Sequence, residues 1–480
     1  MPADFPRLRR SPGPRPGTGI VHLGLGAFFR AHGAIYIAEA MAASGGDWGI
    51  LGVSLRHPDQ RDRLAPQDYA YFAVELGPEG ATPRPIEVIE DMRVAPEDPA
   101  GVLAAMANPA VRIVSLTVTE KGYCHAPATG RLDLGHPDVL HDLADPLPRS
   151  APGFLVRALE RRRAAGLPPF TVFCCDNLPD NGHLVRGLVL EMAREIDAGL
   201  ADWIEAEGAF PCTMVDRIVP ATRPENIDWV AELTGCHDAA PVLHEPFRQW
   251  VIEDRFVGGA RPDLAAVGVQ IVREVRPFEL MKLRMLNGAH SALAYLGYLA
   301  GYETVAEAAG DPAFAAFLRG MWREEVIPTL APPEGEDLGA YATALVQRFT
   351  NPAIRHRNWQ IAMDGSQKLP QRLLGTIADN LAAGRPSPRL ALAVAAWMRY
   401  VGGTDEAGEA IDVRDPLAER LRAVSEGAAE PAARVSALLD MREIFPQALA
   451  SEPGFRDAVT AAYRTLAERG ARAAVAEIGT

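Results

Sequence analysis

Along the first half of the chain, short apolar runs alternate with longer segments in which apolar residues recur at helical spacing. Apolar runs of strand length without strict alternation are typical of strands buried on both faces of a parallel sheet. Strand and helix in regular succession, with short connections, predict a doubly wound α/β domain. The runs assigned to strands are GIVHLGLG (19–26), WGILGVSL (48–55), VRIVSLTVT (111–119), TVFCCDN (171–177), CTMVDRIVP (212–220) and GVQIVREV (268–275).

The pattern changes after Val275, where strand-like runs nearly vanish. Ala- and Leu-rich amphipathic segments then continue to Thr480, which is typical of packed helices. The change predicts two domains. Residues 1–275 would form an α/β domain with a mostly parallel sheet, and residues 276–480 an all-helical domain.

Two details of the first domain can be predicted from local composition. YAYFAVEL (69–76) and PIEVIEDMRV (85–94) contain more polar positions than the other strand-like runs, so we expect them to form a more exposed strand pair. Asp98 stands directly before a helical run and is expected to cap it, because a carboxylate can accept from the free N–H groups of a first turn.

Composition and charge narrow the classes of partner. The 480 residues are 48% hydrophobic and carry a formal net charge of −14. Surplus acidic groups argue against nucleic acid or an anionic membrane as the main partner, and no run approaches the ~18 apolar residues of a membrane span. The five cysteines show no CxxC spacing and fit no disulfide framework, so we expect reduced thiols in the cytoplasm and no metal site.

Glycines follow the first predicted strand directly. Gly24 and Gly26 precede a helical run, where a first glycine permits a tight turn and a second lets the backbone approach a pyrophosphate. The helix start, with Ala27 and Phe28, would supply N–H donors to the phosphates. Phe29 occupies the place of the third glycine in GxGxxG, so the fingerprint is incomplete. We interpret the turn as a dinucleotide site; a strand–helix turn without a ligand is the alternative.

The ends of two further predicted strands, 48–55 and 111–119, are expected to lie near the cofactor. An acidic residue at the end of the second strand usually binds the adenosine ribose, but Leu55 and Arg56 stand there instead. Arg56 suits either stacking on adenine or contact with a 2′-phosphate, which leaves NAD and NADP both open. Thr119 and Glu120 follow the buried strand 111–119 and are further candidates.

The stretch PFELMKLRMLNGAHSALAYLG (277–297) has polar groups on a face that its leucines predict to be buried. At ~100° per residue, four of them share an arc of ~140° with leucines: Glu279, Lys282, Asn287 and His290. A lysine kept from water has a lowered pKa and can accept an alcohol proton, while an amide can donate to the substrate oxygen. We therefore interpret the segment as a site of hydride transfer between a secondary alcohol and a nicotinamide. Separate structural roles for each residue are the alternative.

Two polar residues elsewhere in the chain are further candidates for the hydride-transfer site, and one residue of the same helix is not. Asn177 lies just past an inner strand, where α/β sites collect, and Asp216 is an acid in an otherwise apolar strand. Arg284 falls on the far side of the helix and is expected to face solvent.

Several motifs, in this order along the chain, resemble those of the polyol-specific long-chain dehydrogenases, a family that contains mannitol 2-dehydrogenases and fructuronate reductases. They are GLGAFFRAH, TVTEKGYC, CDNLPDNG, TMVDRIVP, the Lys-x4-Asn-x2-His run from Lys282, and WQIAMDGSQKLPQRL. The likeness covers nearly the whole chain. It implies an N-terminal Rossmann-type domain, a helical C-terminal domain and catalysis without zinc.

The resemblance also implies roles for single residues. Lys282 matches the general acid/base of the family, and Asn177 and Asn287 match its pair of oxyanion donors. His290 matches a residue that binds substrate hydroxyls and positions the lysine. Glu279 matches a position associated with proton relay to solvent.

The motifs that match substrate-binding positions of the family contain several cationic residues. Asp216 and Lys368 match substrate-site positions of the family, and IRHRNWQIAMDGSQK is closer to the fructuronate reductase branch than to mannitol enzymes. A sugar carboxylate is best held by a guanidinium or an ammonium group. Arg357 and Lys368 are our candidates for that contact, with Arg355 and Arg372 as further ones; a solvated basic face is the alternative.

The sequence therefore predicts a cytoplasmic, zinc-independent oxidoreductase that interconverts D-fructuronate and D-mannonate with NAD. NADP is not excluded, because the second strand lacks the acid pair of mannitol dehydrogenases. The alternative substrate pair is D-mannitol and D-fructose, and the alternative of another class is a non-catalytic nucleotide-binding protein. We expect a small sugar acid or polyol as the only ligand class besides the cofactor, and a monomer or small homo-oligomer.

Overall fold

The computed structural model describes residues 5–126 and 129–479. The chain forms two compact units, the first ending at Arg276 and the second beginning at Pro277. All strands of the described residues lie in the first unit, and the second is helical apart from isolated β-bridges. The predicted fold class, a Rossmann-type parallel sheet followed by a helical region, is confirmed.

A five-stranded parallel sheet is the centre of the first unit. Its spatial order is β5-β2-β1-β6-β9, so the five strands follow the order 3-2-1-4-5 of a dinucleotide-binding sheet, with its switch point between β1 and β6. Three smaller sheets are β10-β12-β13, β11-β3-β4 and β7-β8. The strands are β1 Thr18–Leu23, β2 Gly49–Ser54, β3 Tyr71–Gly77, β4 Gly80–Ile86, β5 Ile89–Val94, β6 Ile113–Leu116, β7 His125–Ala126, β8 Arg131–Leu132, β9 Thr171–Cys174, β10 Thr213–Asp216, β11 Val242–His244, β12 Gln249–Glu253 and β13 Gln270–Val272.

Both faces of the parallel sheet are buried, which explains its uninterrupted apolar sequences. Successive strand residues point to opposite faces: Val21 and Leu23 belong to one apolar cluster, and Ile20 to the other. The helices of this unit are α1 Ala27–Ala31, α2 Gly33–Ser44, α3 Asp59–Leu64, α4 Pro99–Met106, α5 Pro137–Ala144, α6 Ala151–Ala164, α7 Asn181–Ile196, α8 Ala198–Glu207 and α9 Pro224–Thr234.

One strand prediction is wrong and one capping prediction is confirmed. The segment 85–94 does not pair as a whole with 69–76: β4 ends at Ile86 and pairs with β3, whereas β5 joins the parallel sheet beside β2. The short strands β11 and β12 had not been predicted. Asp98 caps α4, since its carboxylate accepts from the N–H of Gly101 at 2.8 Å.

The second unit is built around α11 and α18, whose residues are almost all buried and which pack against each other and against α22. Within the described residues, no helix is long and apolar enough to cross a bilayer. The helices are α10 Arg276–Met281, α11 Gly288–Leu299, α12 Val305–Gly310, α13 Pro312–Gly320, α14 Leu338–Phe349, α15 Asn358–Ala362, α16 Gly365–Leu369, α17 Gly375–Ala382, α18 Pro388–Tyr400, α19 Ala418–Glu426, α20 Pro431–Leu439, α21 Gln447–Ala450 and α22 Pro453–Gly479, which is kinked at Gly470.

Three segments of this unit are π-helical: Lys282–Asn287, Met321–Val326 and Pro370–Leu374. A π turn closes its backbone hydrogen bond over five residues instead of four and is rare, because it inserts an extra residue into the helix. The α-helical spacing of ~100° per residue used for residues 277–297 therefore does not hold across Lys282–Asn287. The first π segment packs against the other two.

Contacts between these segments fix the first π turn. The indole Nε1 of Trp322, in the second segment, donates to the carbonyl of Met285 at 2.9 Å. A Cβ on Gly288 would lie 3.0 Å from the carbonyl oxygen of Arg372 in the third, so glycine permits the close approach. Asn287–Gly288 is thus a packing point within a continuous helical segment, not a turn.

Arg284 departs from its prediction. Its side chain is only 13% exposed and pairs with Asp379 at 2.7 Å, and it also donates to Thr329 Oγ1 at 2.8 Å. The side predicted to face solvent is therefore covered by neighbouring segments of the same unit.

Trp322→Phe tests the contact that holds the π turn. The change removes the indole N–H and leaves the Met285 carbonyl buried without that donor, so we expect the free energy of unfolding to fall by about 1–3 kcal/mol. Urea denaturation would measure it. The control is Trp359→Phe, whose indole donates to the Asp412 carbonyl at a more exposed place; equal losses in the two variants would contradict the proposed role of Trp322.

Candidate active site

The turn after β1 requires glycine at its first position. Gly24 has φ of +87°, and a Cβ there would lie 2.2 Å from the carbonyl oxygen of Thr117. Gly26 is exposed and begins α1 as its N-cap, and a Cβ on it would meet nothing closer than 3.8 Å. The N–H of Gly26 donates to the carbonyl of Gly24 at 2.7 Å, whereas those of Ala27 and Phe28 stand at an open helix start, which suits a phosphate group.

The buried side chain of His22 stabilises this turn through hydrogen bonds. His22 Nε2 lies 2.9 Å from Thr117 Oγ1, and that hydroxyl donates to the carbonyl of Gly24 at 2.8 Å. Nε2 must therefore carry the proton, and Nδ1 accepts from the hydroxyl of Ser115 at 2.8 Å. Burial lowers the pKa of His22 to about 3, so the imidazole is neutral and can keep this donor pattern at physiological pH.

Phe29 explains why the third fingerprint glycine is absent. Its ring stacks on His22 with centroids 3.5 Å apart, so an aromatic side chain fills the space that a glycine would leave for close packing. The helix breaks at His32, and α2 starts at Gly33, where a Cβ would lie 2.5 Å from the Phe29 ring. The broken helix makes room for the stacked pair.

A cleft of about 720 Å³ opens beyond β2 and β5. Leu55 and Arg56 line it, together with Lys121 from the segment after β6, directly following Thr119 and Glu120. Its position at the carboxyl ends of parallel strands is where nucleotides bind in such sheets. The cleft, together with the open glycine turn, fits a dinucleotide.

Asp176 joins the ends of β6 and β9, although the sequence analysis did not select it. Its carboxylate accepts from the backbone N–H groups of Val118 at 2.8 Å and Thr119 at 3.2 Å, and from the hydroxyl of Tyr123 at 2.6 Å. Thr119 has φ of +64°, a left-handed conformation that such hydrogen bonds help to hold. Asn177 follows directly and is exposed, so Asp176 positions both the loop after β6 and the turn after β9.

Asp216 lies apart from the parallel sheet. It ends β10 opposite Gln249 of β12 and is only 3% exposed. Its predicted substrate contact stays a prediction.

Two side-chain groups among the described residues bring three possible metal-ligand atoms within 4.8 Å of one another, and sequence spacing did not indicate them. In each group, burial raises the pKa of the cysteine thiol to about 11, and the expectation that the chain has no metal site stays a prediction. The groups are Cys124, His136 and Asp138, and His183, Cys212 and Glu253.

In the second unit, Lys282, Asn287 and His290 are 8%, 7% and 6% exposed, respectively. Lys282 begins the first π segment and Asn287 ends it, so they are five residues apart. Because a π turn joins residues five apart, both side chains leave the helix on one side. His290 follows in the first turn of α11, and Glu279 is half-buried in α10.

Two imidazoles of this unit have a buried nitrogen without a hydrogen-bond partner among the described residues. They are Nε2 of His290 and Nδ1 of His356, whose rings meet edge to face at 5.5 Å. Phe349 packs on the other side of His290 at 4.6 Å. An unpartnered polar atom in a buried place costs about 1–3 kcal/mol and indicates a ligand position.

Positive charges surround both imidazoles. Burial lowers the pKa of His290 well below its usual value, and it lowers that of His356 to about 4. The neighbouring cations act in the same direction, and Arg372 affects both rings. We call this set the cationic pocket; it consists of Lys282, His290, Arg348, His356, Lys368 and Arg372.

The predicted carboxylate ligands are placed differently. Lys368 belongs to the cationic pocket, and its ammonium group donates to the backbone carbonyl of Met363 at 2.6 Å. Arg357 instead has a side chain that is 41% exposed and pairs with Glu303 at 3.2 Å. Arg355 is still more exposed, beside the same glutamate. The contact of Arg357 with a substrate carboxylate stays a prediction, and its exposed ion pair with Glu303 does not support it.

Comparison with known proteins gives matches over both units. Residues 18–266 match the mannitol dehydrogenase Rossmann domain, and residues 274–467 match the mannitol dehydrogenase C-terminal domain. D-mannonate oxidoreductase of Escherichia coli is 50% identical over 467 residues, which cover 96% of this chain and 95% of that protein. A mannitol 2-dehydrogenase of Phaeosphaeria nodorum is 41% identical over 96% of this chain and 81% of its own length.

A solved structure is also similar over the whole chain. Mannitol 2-dehydrogenase of Pseudomonas fluorescens, in a ternary complex with NAD and D-mannitol, superimposes with a TM-score of 0.87. It is 41% identical in sequence, and the match covers 99% of this chain and 97% of that one.

If His22 is neutral in the folded protein, lowering the pH should lower the free energy of unfolding. Its folded pKa of about 3 lies below the unfolded value of about 6.5, so the unfolded chain binds a proton that the folded chain does not. The free energy of unfolding should then fall by up to ~2 kcal/mol between pH 6.5 and pH 5 on this account. We expect His22→Asn to show a shallower decline in urea denaturation across that range. The exposed His57→Asn is the control, and an unchanged slope in His22→Asn would contradict the assignment.

Proposed function

The chain belongs to the mannitol dehydrogenase family of nicotinamide-dependent oxidoreductases, and on that basis we propose that it interconverts D-fructuronate and D-mannonate by hydride transfer. Lys282 is the proposed general acid/base. The observation that carries the proposal is the burial of Lys282 and Asn287 at the two ends of one π turn, next to His290. The sugar-acid substrate is supported by the 50% identity with D-mannonate oxidoreductase.

The predictions of family, oxidoreductase class and nicotinamide cofactor are confirmed by this membership. NAD, which the Pseudomonas fluorescens relative binds, is the form that we assign to this chain. The residues proposed to hold it are Gly24, Gly26, Ala27 and Phe28 at the phosphates, Leu55 and Arg56 at the adenosine, and Thr119 and Glu120 after β6. Bound there, the nicotinamide would accept or supply the hydride.

The side chains of the second unit would handle the proton. In alcohol oxidation, Lys282 Nζ takes the proton of the substrate hydroxyl, and in ketone reduction it returns that proton to the oxygen. The amide of Asn287 donates to this oxygen while negative charge develops on it, and Asn177 is proposed as a second donor. His290 binds a substrate hydroxyl beside the lysine, and Glu279, half-buried one turn earlier, passes the proton to solvent.

Lys282→Ala should remove the proton acceptor without removing the dinucleotide site. We expect turnover to fall by roughly 10²–10⁴-fold, with NADH binding unchanged in a fluorescence titration. Because a small amine can replace the missing ammonium group, ethylamine should restore part of the rate.

Leu283→Met is the matched control, since it changes a neighbouring side chain of the same π turn at nearly constant volume. It should keep most of the activity. A Lys282→Ala protein that retains more than a tenth of wild-type turnover would exclude this lysine as the general base.

The substrate proposal needs a direct comparison of substrates. The kcat/KM values of D-fructuronate, D-tagaturonate, D-fructose and D-mannitol should be measured with both NAD and NADP forms. We expect fructuronate with NADH to give the highest value. A higher value for fructose would replace the sugar acid by a neutral ketose, as in mannitol 2-dehydrogenases, and would leave the lysine mechanism in place.

The cellular location belongs to the same proposal. The five cysteines are free thiols, and four of them are buried. Free thiols are usual in the reducing cytoplasm, which supports the predicted location there.

A further inference from the structure

We infer that Arg372 and His356 form a subsite that binds the carboxylate of the sugar-acid substrate. The inference rests on the proposed function and names the side chains that would separate sugar acids from neutral sugars. It replaces Arg357, which the sequence favoured, by a residue of the cationic pocket.

Both the backbone and the side chain of Arg372 are held in place. Its carbonyl oxygen lies against Gly288, where a Cβ would come within 3.0 Å of it. Its Nη1 donates to the hydroxyl of Ser291 at 3.2 Å, and Ser291 directly follows His290. The guanidinium group is thereby anchored beside the histidine that is proposed to bind a substrate hydroxyl, so little side-chain freedom is lost when a ligand binds.

Each of the two imidazoles has a nitrogen that the described part of the protein leaves without a hydrogen bond. His356 Nδ1 and His290 Nε2 are buried and have no hydrogen-bond partner among the described residues. Both rings are neutral at physiological pH, since burial lowers their pKa, and a neutral imidazole can donate from one nitrogen. A carboxylate oxygen on His356 and a hydroxyl on His290 would satisfy both atoms.

The charge around His356 favours an anion. The charged groups that shift its pKa are Lys368 and Arg372, both cations. The ammonium group of Lys368 already donates to the backbone carbonyls of Ile361 and Met363, so it contributes mainly its charge. The guanidinium group of Arg372 is planar, a geometry that can hold a carboxylate by two parallel hydrogen bonds.

Arg372→Gln tests the subsite, with Arg357→Gln as the matched control in an exposed ion pair. Loss of a charge-assisted hydrogen bond costs ~1.5–3 kcal/mol, so we expect Arg372→Gln to raise the KM for fructuronate roughly 10- to 100-fold. Its kcat should change by a much smaller factor, and the KM for fructose should stay the same. Arg372→Lys should recover part of the affinity, and Arg357→Gln should match wild type.

A binding measurement separates this inference from the proposed function. Calorimetric titration of the wild-type enzyme–NADH complex with D-mannonate and with D-mannitol, repeated for Arg372→Gln and His356→Gln, requires no turnover. We expect both variants to lose affinity for mannonate only, while circular dichroism shows unchanged folding. If wild type prefers mannonate but Arg372→Gln binds it equally well, the subsite is wrong and the substrate stands. If wild type does not prefer mannonate, the proposed substrate fails, and the subsite fails with it.

Discussion

The second unit contains a π turn at Lys282–Asn287, which has one residue more than an α-helical turn. This extra residue determines which polar side chains lie on the same side of the helix. In an α-helix, Lys282 and Asn287 would be ~140° apart around the axis, and burying both on one narrow face would be difficult. In the π turn Lys282–Asn287, residues five apart are joined by the backbone hydrogen bond. The proposed base and the proposed hydrogen-bond donor for one substrate oxygen thus come from a single turn. An amine and an amide in such a buried place are costly unless polar partners satisfy them.

That turn is not favourable by itself, and its stability comes from distant parts of the chain. Trp322 supplies a donor to the Met285 carbonyl from a second π segment, and Gly288 allows the third π segment to pack closely. Arg284, paired with Asp379, holds the outer side. The second and third π segments therefore support the first. The same packing brings Arg372 onto Ser291, next to His290, so the proposed catalytic turn and the proposed carboxylate subsite have a common structural origin.

Local sequence was enough to predict those features that depend on one segment. The apolar strands, the glycine turn at Gly24 and the helical second half follow from spacing and burial along the chain, and the burial of Lys282 follows from its leucine neighbours. Features that depend on two distant segments could not be predicted in this way. The π turn has no sequence pattern of its own, and α-helical spacing assigned Arg284 to solvent. Asp176 was not predicted as a site residue, because its partners Val118 and Thr119 are far away in sequence.

The net charge of the chain argues against an anionic ligand, whereas the charges near His356 favour one. The two agree once the short range of electrostatic interactions in salt solution is considered. A net charge of −14 would repel an anionic sugar acid if the whole surface acted on it at once. At physiological ionic strength, however, charges are screened over about 8 Å, so a bound carboxylate responds mainly to groups in its own pocket. The acidic balance therefore argues against polyanions that cover a large surface, such as nucleic acid, but not against a small anion. Lys368 and Arg372, the cations near His356, are partly buried, so they would act on a ligand there with less screening than exposed charges.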